Sequence, residues 1–264
     1  MKKVFSVAFI AILSLTAILY SCQKPQELAN PSTTIVQDNI KTRTDYGVTH
    51  NRVMDDVYNS MLQNKDLPDM TQEQLKNIAY STFSQSITSQ LGLSTSTIND
   101  FLQYSNIPSN YSSYPSYMSD YRTTMVNGLN SINDEQLKDA YTELLNGVDN
   151  VNSYEEYVDL VNSLKQQFVG TSNESIFNVV SSISTSSFSY WADNSQNWLN
   201  LNLQDVQAKQ LDPRFKQIVK GDIYGAINGG LAGAGFAGVG ALAGACLGAS
   251  YGSAIEGLFV AFGW

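Results

Sequence analysis

Apolar positions recur at helical spacing through most of the chain. Val53, Met54, Val57, Tyr58, Met61 and Leu62 return every three or four residues, the period of one helix face. Pro68 ends that element. Thr71 with Gln74 three residues on forms a capping box. It opens a helix whose inward stripe is Leu75, Ile78, Phe83, Ile87 and Leu91, and Gly92 fits its stop. A short helix is expected around Ile98, Phe101 and Leu102, then a Tyr- and Ser-rich loop from Asn106 to Pro115. Met118, Tyr121, Met125 and Leu129 mark another helix. Leu137, Tyr141, Leu144, Leu145 and Val148 mark the next, closed near Gly147. Ser153 with Glu156 is a second capping box, opening a helix with Val158, Val161, Leu164 and Phe168 that Gly170 stops. Ile176, Val180 and Ile183 begin a last helix, with Trp191 and Trp198 on its continuation. Period-two runs are few and no fixed-period repeat is evident. The expected fold class is all-α, a helical bundle over residues 48–212.

The pattern changes after residue 212. No charged residue lies between Asp222 and Glu256, a gap of 33 residues. Within it glycines keep a spacing of four, in the sets Gly221, Gly225, Gly229, Gly233 and Gly240, Gly244, Gly248, Gly252. Four residues advance a helix by about 400°, so each set lines one face. Ile223, Ile227 and Leu231 fall opposite the first set, and Leu242 and Cys246 opposite the second. Each Gly costs a helix in water about 1 kcal/mol relative to Ala. In lipid an unpaired backbone amide costs more, and small residues let helices approach closely. The segment 213–264 is therefore expected to be a glycine-zipper helical hairpin associated with membrane, its reversal near Phe236, its glycine faces together and its Ile/Leu faces toward acyl chains. Lys216 and Lys220 would snorkel to the interface, Trp264 would sit in an aromatic belt, and Glu256 would lie near the membrane surface. One continuous span, or a hairpin buried inside a soluble fold, are the alternatives. Cys246 reads as an inert small residue.

The amino end has a different logic. Met1-Lys2-Lys3, an apolar run from Val4 to Tyr20, and Ser21-Cys22 have the layout of a secretory signal. Leu19-Tyr20-Ser21-Cys22 resembles a bacterial lipobox, with Tyr20 where a smaller residue is commoner. The resemblance implies cleavage after residue 21, acylation of Cys22 and a Gram-negative envelope location, with the outer membrane expected and the leaflet open. Residues 22–47 read as a disordered tether. Only Cys246 remains after Cys22, so no intramolecular disulfide framework exists. Loss of Lys2 and Lys3 takes the formal charge from −9 to −11, which argues against nucleic acid and against adsorption to anionic lipid.

The tail, through its two glycine sets, resembles the glycine-zipper two-helix segments of Gram-negative envelope lipoproteins. Its composition also resembles the membrane-active part of some bacteriocins. Catalytic chemistry is not expected. His50 is the single histidine and stands beside the tether, and HExxH, CxxC and GxxxxGK[ST] are absent. Gly233-Ala234-Gly235-Phe236-Ala237-Gly238 matches GxGxxG by letters but follows no strand. The pairs Asp55-Asp56, Asp134-Glu135 and Glu155-Glu156 suit polar faces and first turns. Tyr104, Tyr111, Tyr114, Tyr117 and Tyr121 suit either a binding surface or a helical core. The expected function is that of a cell-envelope lipoprotein with a structural or interaction role. Its partners would be membrane lipid and, through the glycine zipper, itself or a membrane protein. No enzyme activity, metal or cofactor is expected. The alternative is a membrane-active, pore-forming or bacteriocin-like effector.

Overall fold

A computed structural model describes residues 44–64, 66–105, 123–124, 126–202 and 213–263. These are helical, with no strand among them: α1 Tyr46–Leu62, a 3-10 turn Leu67–Asp69, α2 Gln72–Leu91, α3 Thr95–Tyr104, α4 Glu135–Asn150, α5 Tyr154–Gln166, α6 Glu174–Asn200, α7 Pro213–Gly235 and α8 Ala241–Phe262. Residues 126–130 are helical too. The fold is all-α. The signal, Cys22, the tether up to residue 43, the loop 106–115 and most of the Met118–Leu129 helix lie outside the described residues. All described residues belong to one compact unit, Gln37–Trp264, so the contacts do not divide at residue 213.

Local chemistry sets the helix ends. Asp45 caps α1, its carboxylate accepting from the amides of Gly47 and Val48, so α1 begins two residues inside the stretch read as tether. Thr71 and Gln74 form the reciprocal capping box of α2, and Gly92 closes that helix with φ of 69°, a left-handed turn that suits glycine. Ser153 Oγ accepts from the Glu156 amide, but Glu156 Oε2 takes the amide of Asn152 at 2.8 Å and not that of Ser153. The second capping box is thus shifted by one residue on its acidic side. Gly147 does not close α4. It is buried within the helix, where the lack of a side chain admits Leu160 and Tyr157 of α5.

The α7–α8 hairpin occupies the interior. α8 packs on α7, α6, α1 and α2, and α7 also meets α6, α4 and α3. Every residue from Ala243 to Ala261 is buried. α8 is apolar enough to cross a membrane, with mean hydropathy 1.3 over its most apolar window, yet 94% of that window is buried against the rest of the unit. α4, α5 and α6 form an aromatic shell. Tyr141 and Phe168 stack on Phe177 with ring centroids 5.6 and 4.3 Å apart, and Tyr157 stacks on Phe188 at 5.0 Å.

Candidate functional site

The seam of the hairpin is built from glycines. A methyl group added at Gly225 would lie 2.6 Å from the carbonyl oxygen of Gly248, and at Gly229 or Gly233 it would strike the carbonyl of Gly244 or Gly240. The reverse collisions hold for Gly244 with Gly229 and for Gly248 with Gly225. These pairings run antiparallel. Gly240 precedes α8 with φ of 77° and has open space where a side chain would be. Gly252 is buried within α8. Gly221 faces another neighbour, for a methyl there would lie 2.5 Å from Glu256 Oε1.

The backs of these helices meet protein. Ile223 and Ile227 are buried, as is Cys246, while Leu242 is half-buried and Leu231 is 41% exposed. Lys220 pairs with Asp149 of α4 at 2.6 Å, and Lys216 donates to the Asp149 carbonyl at 3.4 Å. Glu256 is fully buried inside the unit and not at its surface. The burial of Ile223, Ile227 and Cys246 has one physical reason. Amphipathic helices of the same chain offer apolar side chains to the hairpin's backs, so acyl chains are not required to shield them.

Midway along the hairpin lies a fully buried polar cluster that sequence reasoning missed. Asp222 of α7 is its node. Oδ2 accepts from Ser187 Oγ of α6 at 2.6 Å and from Ser253 Oγ of α8 at 2.9 Å. His50 Nε2 of α1 stands 3.3 Å from the same oxygen, an ion-pair contact directed off the hydrogen-bond axis. Trp191 Nε1 supports Ser253 Oγ at 3.3 Å. On the other side of the ring, His50 Nδ1 faces Asn51 Oδ1 at 3.0 Å, and Asn51 Nδ2 donates to the Ser186 carbonyl at 3.0 Å. That second bond fixes the Asn51 amide with its oxygen toward the ring. Both imidazole nitrogens therefore face acceptors, a setting that fits the doubly protonated ring. Burial alone would lower the His50 pKa, but the charge and contact of Asp222, with help from Asn51, outweigh it and leave the pKa raised.

A histidine, an aspartate and two serines together do not make a catalytic triad here. A nucleophilic serine hydrogen-bonds the imidazole. Here both hydroxyls serve the carboxylate, and His50, Asp222, Ser187 and Ser253 are all fully buried. One signal for His50 was present in the sequence. It precedes Val53, Met54 and Val57 by three, four and seven residues, so it shares their buried face.

Other candidates fall into structural roles. Asp134 caps α4, with Glu135 in its first turn, and Glu155 and Glu156 lie in the first turn of α5. Asp56 accepts from Ser86 Oγ at 2.6 Å. Burial raises the Asp55 pKa, against a hydrogen bond from Tyr190 that lowers it. Burial pushes the Cys246 thiol up to about 12, which leaves it unreactive while seated. Among the described residues no group of three or more metal-ligating side chains converges. Of the clustered tyrosines only Tyr104 is described, half-exposed against Phe236 at the hairpin tip. No family model matches the chain, and no curated protein or solved structure is significantly similar to it.

Proposed function

We propose that the chain is a lipid-tethered cell-envelope protein with a structural or interaction role, attached through acylated Cys22, whose helical unit stands in water around the α7–α8 hairpin as its scaffold. The burial of α8 supports this division of labour. A helix already covered by its own domain gains little from lipid, and moving it would expose the faces that now cover it. Attachment then falls to the acyl chains, and more than one chain gives stable anchoring. The test is fatty-acid labelling of cells with alkaline carbonate extraction, comparing wild type with Cys22→Ala. Label should appear on the wild type only, and the variant should leave the membrane pellet. A Cys22→Ala protein that resists extraction would sink this reading and make the hairpin the anchor.

A second reading, a membrane-active effector, draws on how charge is distributed along the hairpin. Both of its acids, Asp222 and Glu256, stand at least thirteen residues from the reversal, while residues 223–255 around the tip carry no charge and expose Leu231, Ala234 and Ala237. A hairpin so built can enter lipid tip first without burying a charge. Dye release from liposomes at low protein-to-lipid ratio is its measurement, and intact liposomes count against it.

A further inference from the structure

We propose that His50 and Asp222 form a latch that joins α1 to the middle of the α7–α8 hairpin and keeps the hairpin seated only while both side chains carry their charges. The latch holds whether the hairpin is a scaffold or an effector.

The geometry gives the latch its reach. One carboxylate oxygen gathers groups from α1, α6 and α8 onto α7, so four helices depend on Asp222. Two hydroxyls donating to one oxygen, with an imidazole nitrogen 3.3 Å away, suit the ionised carboxylate, and two acceptors beside the ring suit the imidazolium. A buried ion pair adds little stability over an apolar pair of the same volume, but removing one member strands the other charge. Two states follow. With both charges present the four helices are pinned together. With one charge missing, the middle of the hairpin holds an uncompensated ion that only opening to water relieves.

The surroundings make the pair the switching element. Of the other titratable groups on the packed helices, Cys246 on α8 donates its thiol toward the Tyr46 carbonyl of α1 at 3.7 Å, and Tyr190 on α6 bonds Asp55 of α1. Glu256 on α8 lies against Gly221, one residue from Asp222. Lys76 of α2 lies over the Phe259 ring of α8. None of these is an imidazole, and His50 is the only one in the chain. Loss of the His50 proton, which its raised pKa places above the ordinary value of 6.5, is therefore the step that unpairs Asp222 as pH rises.

Cys246 reports on the latch, because its thiol is buried where α8 meets α1. The experiment uses the full chain in mild detergent with Cys22→Ser, so that Cys246 is the single thiol, and follows its alkylation at neutral pH. His50→Gln and Asp222→Asn should each speed alkylation at least about tenfold, as expected when a buried charge loses its partner. The double variant, with neutral amides facing each other, should return to within about threefold of the starting protein. Rates measured at one pH cancel the reagent's own pH dependence. Single variants as protected as their parent, or a double variant as reactive as the singles, would overturn the latch. If a single variant fails to fold, the imidazole resonance of the unsubstituted protein decides. It should titrate above 6.5, the ordinary value, with Cys246 protection lost along the same curve, and titration at or below that value rejects the proposal.

Discussion

The hairpin seam and the aromatic shell solve the same packing problem by opposite means. Along the α7–α8 seam, backbone meets backbone, and Gly229 and Gly244 leave no room for even a methyl group. Between α4, α5 and α6, side chains fill the space, with Tyr141, Phe168 and Phe177 stacked and Tyr157 Oη donating to the Leu144 carbonyl at 3.2 Å. A seam of carbonyls cannot yield, whereas a ring or a leucine tip can turn. The seam is therefore intolerant of added volume, and the shell is intolerant of lost volume.

The largest effect should come from adding bulk to the seam. Gly225→Leu with Gly244→Leu places a side chain against Gly248 on one level and Gly229 on another. Overpacking costs about 1–3 kcal/mol per site and more where nothing can move, so the pair should remove about 6 kcal/mol. That approaches the whole stability of a domain, about 5–15 kcal/mol. Loss of the cooperative urea transition is expected, and a transition at the wild-type midpoint would show that the helices do not meet through these faces. Even Gly229→Ala should cost about 2 kcal/mol net, since the clash of its methyl with a carbonyl outweighs the helix propensity gained. In the shell the large effect has the opposite sign of volume. Phe177→Ala removes the ring shared by Tyr141 and Phe168 and should cost about 3–5 kcal/mol by the same titration. A loss below about 1 kcal/mol would mean that the shell collapses into the gap.

The two regions also differ in how they hold charge, and this gives a pH test of intermediate size. The middle of the hairpin holds Asp222 in a buried pair with His50 of α1, while the shell's stacked rings carry no charge near neutral pH. The folded-state pKa of His50 is raised by Asp222 against the lowering effect of burial. Its contribution to stability is therefore fully present below 6.5, the ordinary value, and is lost as pH rises through the folded pKa. Denaturation midpoints should fall on the alkaline side, and His50→Gln should flatten that limb. A midpoint that rises with pH there would reverse the sign of the coupling.

How much of this was legible in sequence follows from range. The all-α fold could be read because helix periods and caps are local: the Thr71/Gln74 box, Gly92 and the Leu75–Ile87 stripe each need only a few neighbouring residues. The glycine sets could be read as smooth faces for the same reason, but what covers the opposite faces could not. Ile223 and Ile227 are equally apolar whether acyl chains or other parts of the same unit cover them, and the choice depends on residues far away in the chain. The His50 cluster was the least visible. Its members are separated by 137, 35 and 31 residues from His50 through Ser187 and Asp222 to Ser253, and no local rule joins them. Gly147 misled because a glycine near a helix end usually stops the helix, whereas here it admits a neighbour.

That misread glycine supplies the smallest and most discriminating test of the comparison. Gly147→Ala, like Gly229→Ala, adds one methyl group at a buried helical position facing another helix. At Gly147 the methyl would meet the end of the Leu160 side chain and lie 3.2 Å from the edge of the Tyr157 ring. Leu160 is only half-buried, so its tip can rotate toward water. Replacing Gly by Ala within a helix also gains about 1 kcal/mol of propensity. The two contributions nearly cancel, and the net change in urea stability should stay under about 1 kcal/mol. A loss of about 2 kcal/mol, equal to that expected at Gly229, would show that the shell is as rigid as the seam and that the distinction between carbonyl and side-chain contacts does not set tolerance in this fold.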